Sequence, residues 1–291
     1  MPPTSIETDK QGIATKKGFS FEHEGSHNGA KGMRHPHQIP KFQDNYSKRK
    51  WMLEHMAGAF RVLGRKGYAL GSAGHLSIRD PVSPDTFWIN PLNKHFSLIK
   101  VSDLVHVDFE CKILPDGNQA AVNAAGFSIH AAIHKARPDI NSACHTHLIN
   151  GKAYLTFGKE LEMINQDACV FYKRQAVYSN FGGVALDETE GEEIAEALGP
   201  YGMAAILQNH GLLTLGKTAD EAAALFIIME DSCHAQLLAD AASAGGYKKQ
   251  IIADDVADYT CKATGDSETL YTELQPDLEL EYELCNGAFL N

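Results

Sequence analysis

Positive charge is scarce in this chain: 26 Lys and Arg stand against 37 Asp and Glu, a formal net charge of -11. A surface for nucleic acid or an anionic membrane needs clustered Lys and Arg to neutralise phosphate, and no such cluster is present. No stretch approaches the run of about eighteen apolar residues that reads as a membrane span. The opening Met1-Pro2-Pro3-Thr4-Ser5-Ile6-Glu7 has no basic-then-apolar signal pattern, so a cytoplasmic protein without a membrane partner is expected. Cys111, Cys144, Cys169, Cys233, Cys261 and Cys285 are scattered with no C-x-x-C pair, which excludes a zinc knuckle and fits reduced thiols.

With 44% hydrophobic residues in 291, one large core is affordable. We read a domain over 44–246 between an N-terminal arm, 1–43, and a C-terminal extension, 247–291. The arm is rich in Gly, Ser, Lys and His. Its His23, His27, His35 and His37 read as a solvated tail rather than a second metal site, because a disordered arm must be ordered at entropic cost before it can chelate. The extension is acidic and weakly periodic and does not read as a second folded domain, though Tyr259, Tyr271 and Tyr282 could anchor it.

Inside the domain, Ile140-Asn141-Ser142-Ala143-Cys144-His145-Thr146-His147 reads as a buried strand ending in His-x-His. Alternate residues of a strand share a face, so His145 and His147 can converge on one ion. A second apolar strand, 204–208, runs directly into His210, and Gly211 turns the backbone into another apolar run. In a chain with 14 histidines a His-x-His pair can arise without function. The strand, His and Gly unit downstream is what turns the pair into a candidate site. Three neutral imidazoles with open positions describe a catalytic Zn2+ or Fe2+ centre rather than a closed structural one.

Around this centre the pattern predicts a helix from an Asp44 N-cap to about Gly64, with Met52, Met56, Ala59, Phe60 and Leu63 as its buried stripe. A Gly-rich loop, 71–74, should lead into strands at 76–79, 85–90 and 104–108 joined by turns. These antiparallel units give a mixed sheet, not a doubly wound one. A helix is expected over 126–136. It places His130 and His134 four apart on one face, yet Ala131-Ala132-Ile133 between them lacks the Glu of a metalloprotease, so both read as packing residues with His130 nearer the site. Further helices are expected over 148–157, 189–198 and 218–242. The aromatic stretch 167–185 is either a hydrophobic flap or a substrate lid, with Tyr172 a candidate base.

These motifs resemble the class II aldolase and adducin head family. The resemblance rests on Ala136-Arg137-Pro138-Asp139 before the His-x-His strand, on His210-Gly211 with Gly216, and on the loop from Gly71 to Arg79, and it runs from about Tyr46 to about Ala242. It implies an α/β protein of three layers, α/β/α, with a mixed, largely antiparallel central sheet, a divalent metal at the strand ends, and a homo-oligomer, tetrameric in family aldolases. It also implies a C-terminal segment near the active site. The departures matter as much. The family's acid/base Glu aligns with Gly126, its phosphate-holding hydroxyl pair with Ala124-Ala125, its second phosphate loop with Asn90-Pro91-Leu92-Asn93, and its loop Asn with His75.

Retro-aldol cleavage needs a base as well as a metal, so a sugar-phosphate aldolase is not the expectation. The chain more resembles the non-haem iron oxygenases of the novobiocin and clorobiocin pathways, which carry out oxidative decarboxylation on this fold. The expected metal ligands are His145, His147 and His210, holding Fe(II) by preference and Zn(II) as the alternative. His75 and Tyr172 are the catalytic candidates, and Gly74, His75, Asn90, Asn123, Gly126 and His130 are the candidate contacts to a small unphosphorylated carboxylate, with O2 as co-substrate. A Zn(II) lyase on an oxo-acid is the first alternative. A non-catalytic adducin-like scaffold is the second, disfavoured because adducin heads lack the histidines kept here.

Overall fold

The computed structural model describes residues 36–183 and 188–291, together with a short pairing of β1 (Glu7–Thr8) with β2 (Ala14–Thr15). The reading of 1–43 as an arm falls mostly outside the described residues, as do His23, His27 and His35. His37 is described, and its Nε2 lies 2.9 Å from Glu279.

Helix α1 (Asn45–Arg65) starts where the sequence predicts: Asp44 accepts a 2.9 Å hydrogen bond from the Ser47 amide, satisfying one of the free N–H groups of the first turn. The predicted stripe from Met52 to Leu63 is buried. Seven strands follow in one sheet: β3 (His75–Arg79), β4 (Thr86–Ile89), β5 (Val105–Asp108), β6 (Ser142–Thr146), β7 (Gln175–Tyr178), β8 (Ala204–Leu207) and β9 (Gly211–Gly216). Their spatial order is β5-β4-β3-β6-β9-β8-β7, antiparallel throughout except for the parallel β7–β8 pair. The central sheet is therefore mixed and largely antiparallel.

Alternation along β3 sets the layers. Ser77 bonds to His130 and His134 of α2 (Ala124–Ala136), and Arg79 bonds to the His134 carbonyl, so the His75, Ser77 and Arg79 side faces α2. Leu76 and Ile78 point the other way, into the main apolar core with α1. Helix α4 (Glu188–Leu198) packs beside α2, and α5 (Ala219–Ala244) packs beside α1, giving helices on both faces of the sheet. Helix α5 is long and apolar enough by composition to pass for a membrane span, but it is apolar because it lies between the sheet, α1 and the C-terminal helices.

Two regions differ from the sequence expectation. The aromatic stretch contains β7, which pairs with β8 at the sheet edge. The extension, weakly periodic in sequence, forms α6 (Asp254–Thr264) and α7 (Ser267–Cys285). Pro276 inside α7 reads as a breaker in sequence, and much of its buried face is polar: Thr269, Thr272 and Gln275 are buried beside Leu270, Tyr271 and Leu274. That face survives burial because it is bonded. The Gln275 amide donates to Asp220 of α5 at 2.9 Å and Ser267 donates to Glu221 at 3.1 Å. Within the protomer the extension therefore clasps α1 and α5, and none of its residues lines the histidine cavity.

Candidate metal centre

Strand β6 and the β8–β9 turn are separated in sequence but neighbours through β9, which pairs with both β6 and β8. His145 sits in β6 and His147 just past its end, on the same side as alternation requires; their Nε2 atoms are 2.9 Å apart. His210 arrives from the three-residue turn between β8 and β9, where Asn209 adopts a left-handed φ of 59°, which Asn tolerates better than most residues. The three imidazoles offer ligand atoms that all lie within 4.8 Å of one another. Nitrogens held about 2.1 Å from one metal stand roughly 3.0–3.5 Å apart at near-octahedral to tetrahedral angles, so the cluster fits one divalent ion after a small adjustment.

The surroundings prepare these rings to ligate. The His145 Nδ1–H donates to the Leu212 carbonyl at 2.8 Å, which fixes the tautomer and leaves the Nε2 lone pair facing the cluster. Burial, reinforced by the neighbouring imidazoles, holds His145 well below its ordinary pKa and His210 at about 4; His147 is lowered by burial and by Lys152. All three are neutral near pH 7, as metal binding requires. Gly211 is demanded by the same crowding, since a Cβ there would lie 2.8 Å from both the His145 and His147 rings.

A cavity of about 340 Å3 opens over the triad, lined by Ser72, Ala73, His75, Asn123, Ala125, Gly126, Ile129, Phe181, Gly183 and Asn209 as well as the three histidines. Among the described residues the lining contains neither a carboxylate nor a Lys or Arg. His75 stands opposite His145 in the β3–β6 register, its ring stacked at 5.7 Å and 9° on that of His145. It is 6% exposed, burial holds its pKa at about 4, and neither ring nitrogen has a partner. The position where the family carries a Glu is filled by this ring: a Cβ on Gly126 would lie 2.6 Å from three His75 ring atoms.

The other predicted contacts divide. Asn123 lines the cavity, and its side chain also caps α2 by accepting from the Gly126 amide at 2.9 Å. Asn90 is buried behind the loop, donating to the Gly74 carbonyl at 3.3 Å and accepting from the Leu76 amide, so it shapes the loop and does not line the cavity. Gly74 does not line it either; its φ of 108° makes the turn, and a Cβ there would strike Phe96. His130 lies behind His75, rings edge to face at 5.7 Å, with Nδ1 2.6 Å from the Ser77 hydroxyl, which in turn meets His134 at 2.8 Å. Tyr172 is a correction. It packs with Ile252 on Met163, Ala168, Cys169 and Ala257, away from the triad, because the chain turns at 172–174 to feed β7. Sequence reasoning missed the Leu212 carbonyl, a backbone group with no side-chain signature, and Phe181, whose aromatic stretch gave the only hint.

Comparison with known proteins agrees with this geometry. The model of the class II aldolase and adducin N-terminal domain matches residues 54–237. The chain is 38% identical to the decarboxylase NovR of Streptomyces niveus, over 82% of this chain and 87% of that protein. It is 40% identical to a 4-hydroxy-3-prenylphenylpyruvate oxygenase/4-hydroxy-3-prenylbenzoate synthase of Streptomyces roseochromogenus, over 72% and 74%. Among solved structures it resembles an L-fuculose 1-phosphate aldolase from Glaciozyma antarctica with a TM-score of 0.78 and 37% identity, covering 87% of this chain and 96% of that one. Fold, ordered motifs and relatives agree: the chain belongs to the class II aldolase and adducin N-terminal domain family.

Proposed function

We propose that the protein is a metal-dependent enzyme acting on a small unphosphorylated carboxylate, and that its reaction is Fe(II)- and O2-dependent oxidative decarboxylation. The observation that carries this reading is that the His75 ring fills the space a side chain at 126 would need, with no acid/base carboxylate among the described lining residues. Three neutral imidazoles leave the double charge of a bound cation uncompensated, and the described cavity wall supplies no anion. The ligand must then bring the negative charge itself, which favours an oxo- or hydroxy-acid. A phosphate is disfavoured because no Lys or Arg is among the described lining residues and Ala124-Ala125 offer no hydroxyl.

The residues of the chain have distinct tasks in this scheme. His145, His147 and His210 would hold the ion, and a ferrous ion so held would supply redox chemistry in place of acid/base work. His75 and Asn123 orient the acid, while Ala73, Ala125, Ile129 and Phe181 give its organic part an apolar wall that keeps water out. The names of the two Streptomyces relatives, a decarboxylase and a phenylpyruvate oxygenase, support an aryl oxo-acid as the first substrate to try. The resemblance to the family's aldolases supports a homo-oligomer.

The likeness to a solved fuculose-phosphate aldolase favours a second reading, a Zn(II) lyase on an oxo-acid. Anaerobic reconstitution with Fe2+, followed by O2 uptake and CO2 release scored against aryl pyruvates, separates the two. Turnover with Zn2+ in the absence of O2 would award the site to the lyase. A purified protein that binds neither metal would leave only an adducin-like scaffold.

A further inference from the structure

The histidine cavity holds one feature that metal binding does not explain: the relation of His75 to Gly126. Gly126 lies in the first turn of α2, where the Asn123 side chain pins its amide and so fixes the direction a side chain would take. In that direction stands the His75 imidazole, 2.6 Å from the Cβ position, closer than real Cβ atoms approach anything. Any side chain at 126 and this placement of His75 exclude one another. The ring so seated is stacked on one metal-ligating imidazole, backed by His130, and 6% exposed, yet both its nitrogens lack partners. A buried N–H left unpaired is costly and rare in folded proteins. The cavity is the place from which a partner can come, because His75 is part of its lining.

We infer that His75 and Gly126 work as one specificity-determining pair: the bare backbone at 126 seats the imidazole so that its N–H receives a carboxylate oxygen of an oxo-acid in the cavity. Imidazole carries an N–H whichever nitrogen bears the proton, and among the described lining residues no acidic side chain competes for that donor. The pair makes the cavity choose a charged acid over its neutral ester or a polyol. This inference rests on the proposed carboxylate substrate, but its steric half does not.

The test uses full-length protein loaded with Zn2+, which is redox-silent, and titrates it calorimetrically with phenylpyruvate and with methyl phenylpyruvate. The wild type should bind the acid at least ~10-fold more tightly than the ester, about the worth of one charge-assisted hydrogen bond. His75→Ala and Gly126→Ala should each lower that preference ~10-fold, to what the zinc charge alone gives, with the zinc stoichiometry unchanged, and the double variant should bind the acid no more weakly than His75→Ala. In the same proteins, thermal unfolding reads the pair without any ligand. Gly126→Ala should lower Tm by about 2–6 °C through overpacking, and His75→Ala added to it should return part of that loss. Additive Tm losses overturn the pair whatever the ligand does, and so does a Gly126→Ala protein that keeps the acid preference. Loss of zinc in His75→Ala overturns it too, by making His75 a metal ligand. A wild type without acid preference whose Tm values still couple overturns the carboxylate reading and leaves the steric pair standing.

Discussion

Buried histidines occur in two kinds of place in this molecule, and they are partnered differently. Away from the cavity His106 and the half-buried His55 meet carboxylates, while His130 and His134 share the Ser77 hydroxyl. His106, stacked on Trp88 at 4.3 Å, has Asp116 2.6 Å from Nδ1 and Asp80 3.2 Å from Nε2, and Asp80 is further bonded by Arg49 and the Trp88 indole. His55 has Asp220 at 2.7 Å where α1, α5 and α7 meet. At the strand ends no carboxylate approaches among the described residues: the triad rings meet one another and a backbone carbonyl, and neither His75 ring nitrogen has a hydrogen-bond partner there. A carboxylate beside a ring satisfies it and ties elements together. Rings clustered without an anion repel protonation and offer lone pairs, which is what a cation requires.

The sharpest way to break that comparison is to remove one ring of the triad. His147→Ala or His210→Ala should cost metal binding, read by elemental analysis, and turnover by ~10^3-fold or more, since the ion's several kcal/mol of activation are lost, while the fold persists by circular dichroism. Asp220→Ala should do the reverse, destabilising the fold by about 3–5 kcal/mol in urea unfolding because His55 and Gln275 lose a buried partner, with metal content unchanged. If Asp220→Ala empties the site while stability holds, the two kinds of histidine are not separate.

Acid titration sharpens the same contrast more gently. His75 and His210 are held at about 4 against 6.5 for an exposed histidine, with His145 and His147 lowered too. The unfolded chain therefore binds more protons than the folded one between these values, so stability is full above pH 6.5 and falls as pH drops from 6.5 towards 4. Urea midpoints of the metal-free protein should decline over that window, and less in a His75→Ala, His210→Ala double variant. The smallest effect belongs to Tyr172→Phe. With its ring packed against Ile252 away from the cavity, this change should leave turnover within about twofold.

Much of this was legible in the chain. Strand alternation is a local rule, so His145-x-His147 could be paired by counting, and the His210-Gly211 unit could be placed at a strand end. The α1 stripe and the antiparallel strand units could be read the same way. Tyr172 was misplaced because an aromatic residue near a turn looks the same whether it faces a cavity or a neighbouring helix; only the position of α6 decides. Helix α7 was missed because its buried polar residues Ser267 and Gln275 are satisfied by Glu221 and Asp220 on α5, partners roughly fifty positions away.

By itself the sequence determined which side chains could ligate and which family groups were missing, because residue identity and short-range periodicity are properties of the chain. Only the tertiary structure decided that the position of Gly126 and the His75 ring share one space. Whether a ring and a glycine 51 positions apart compete for the same few cubic ångströms depends on how β3 and the first turn of α2 are packed, and no local rule carries that distance.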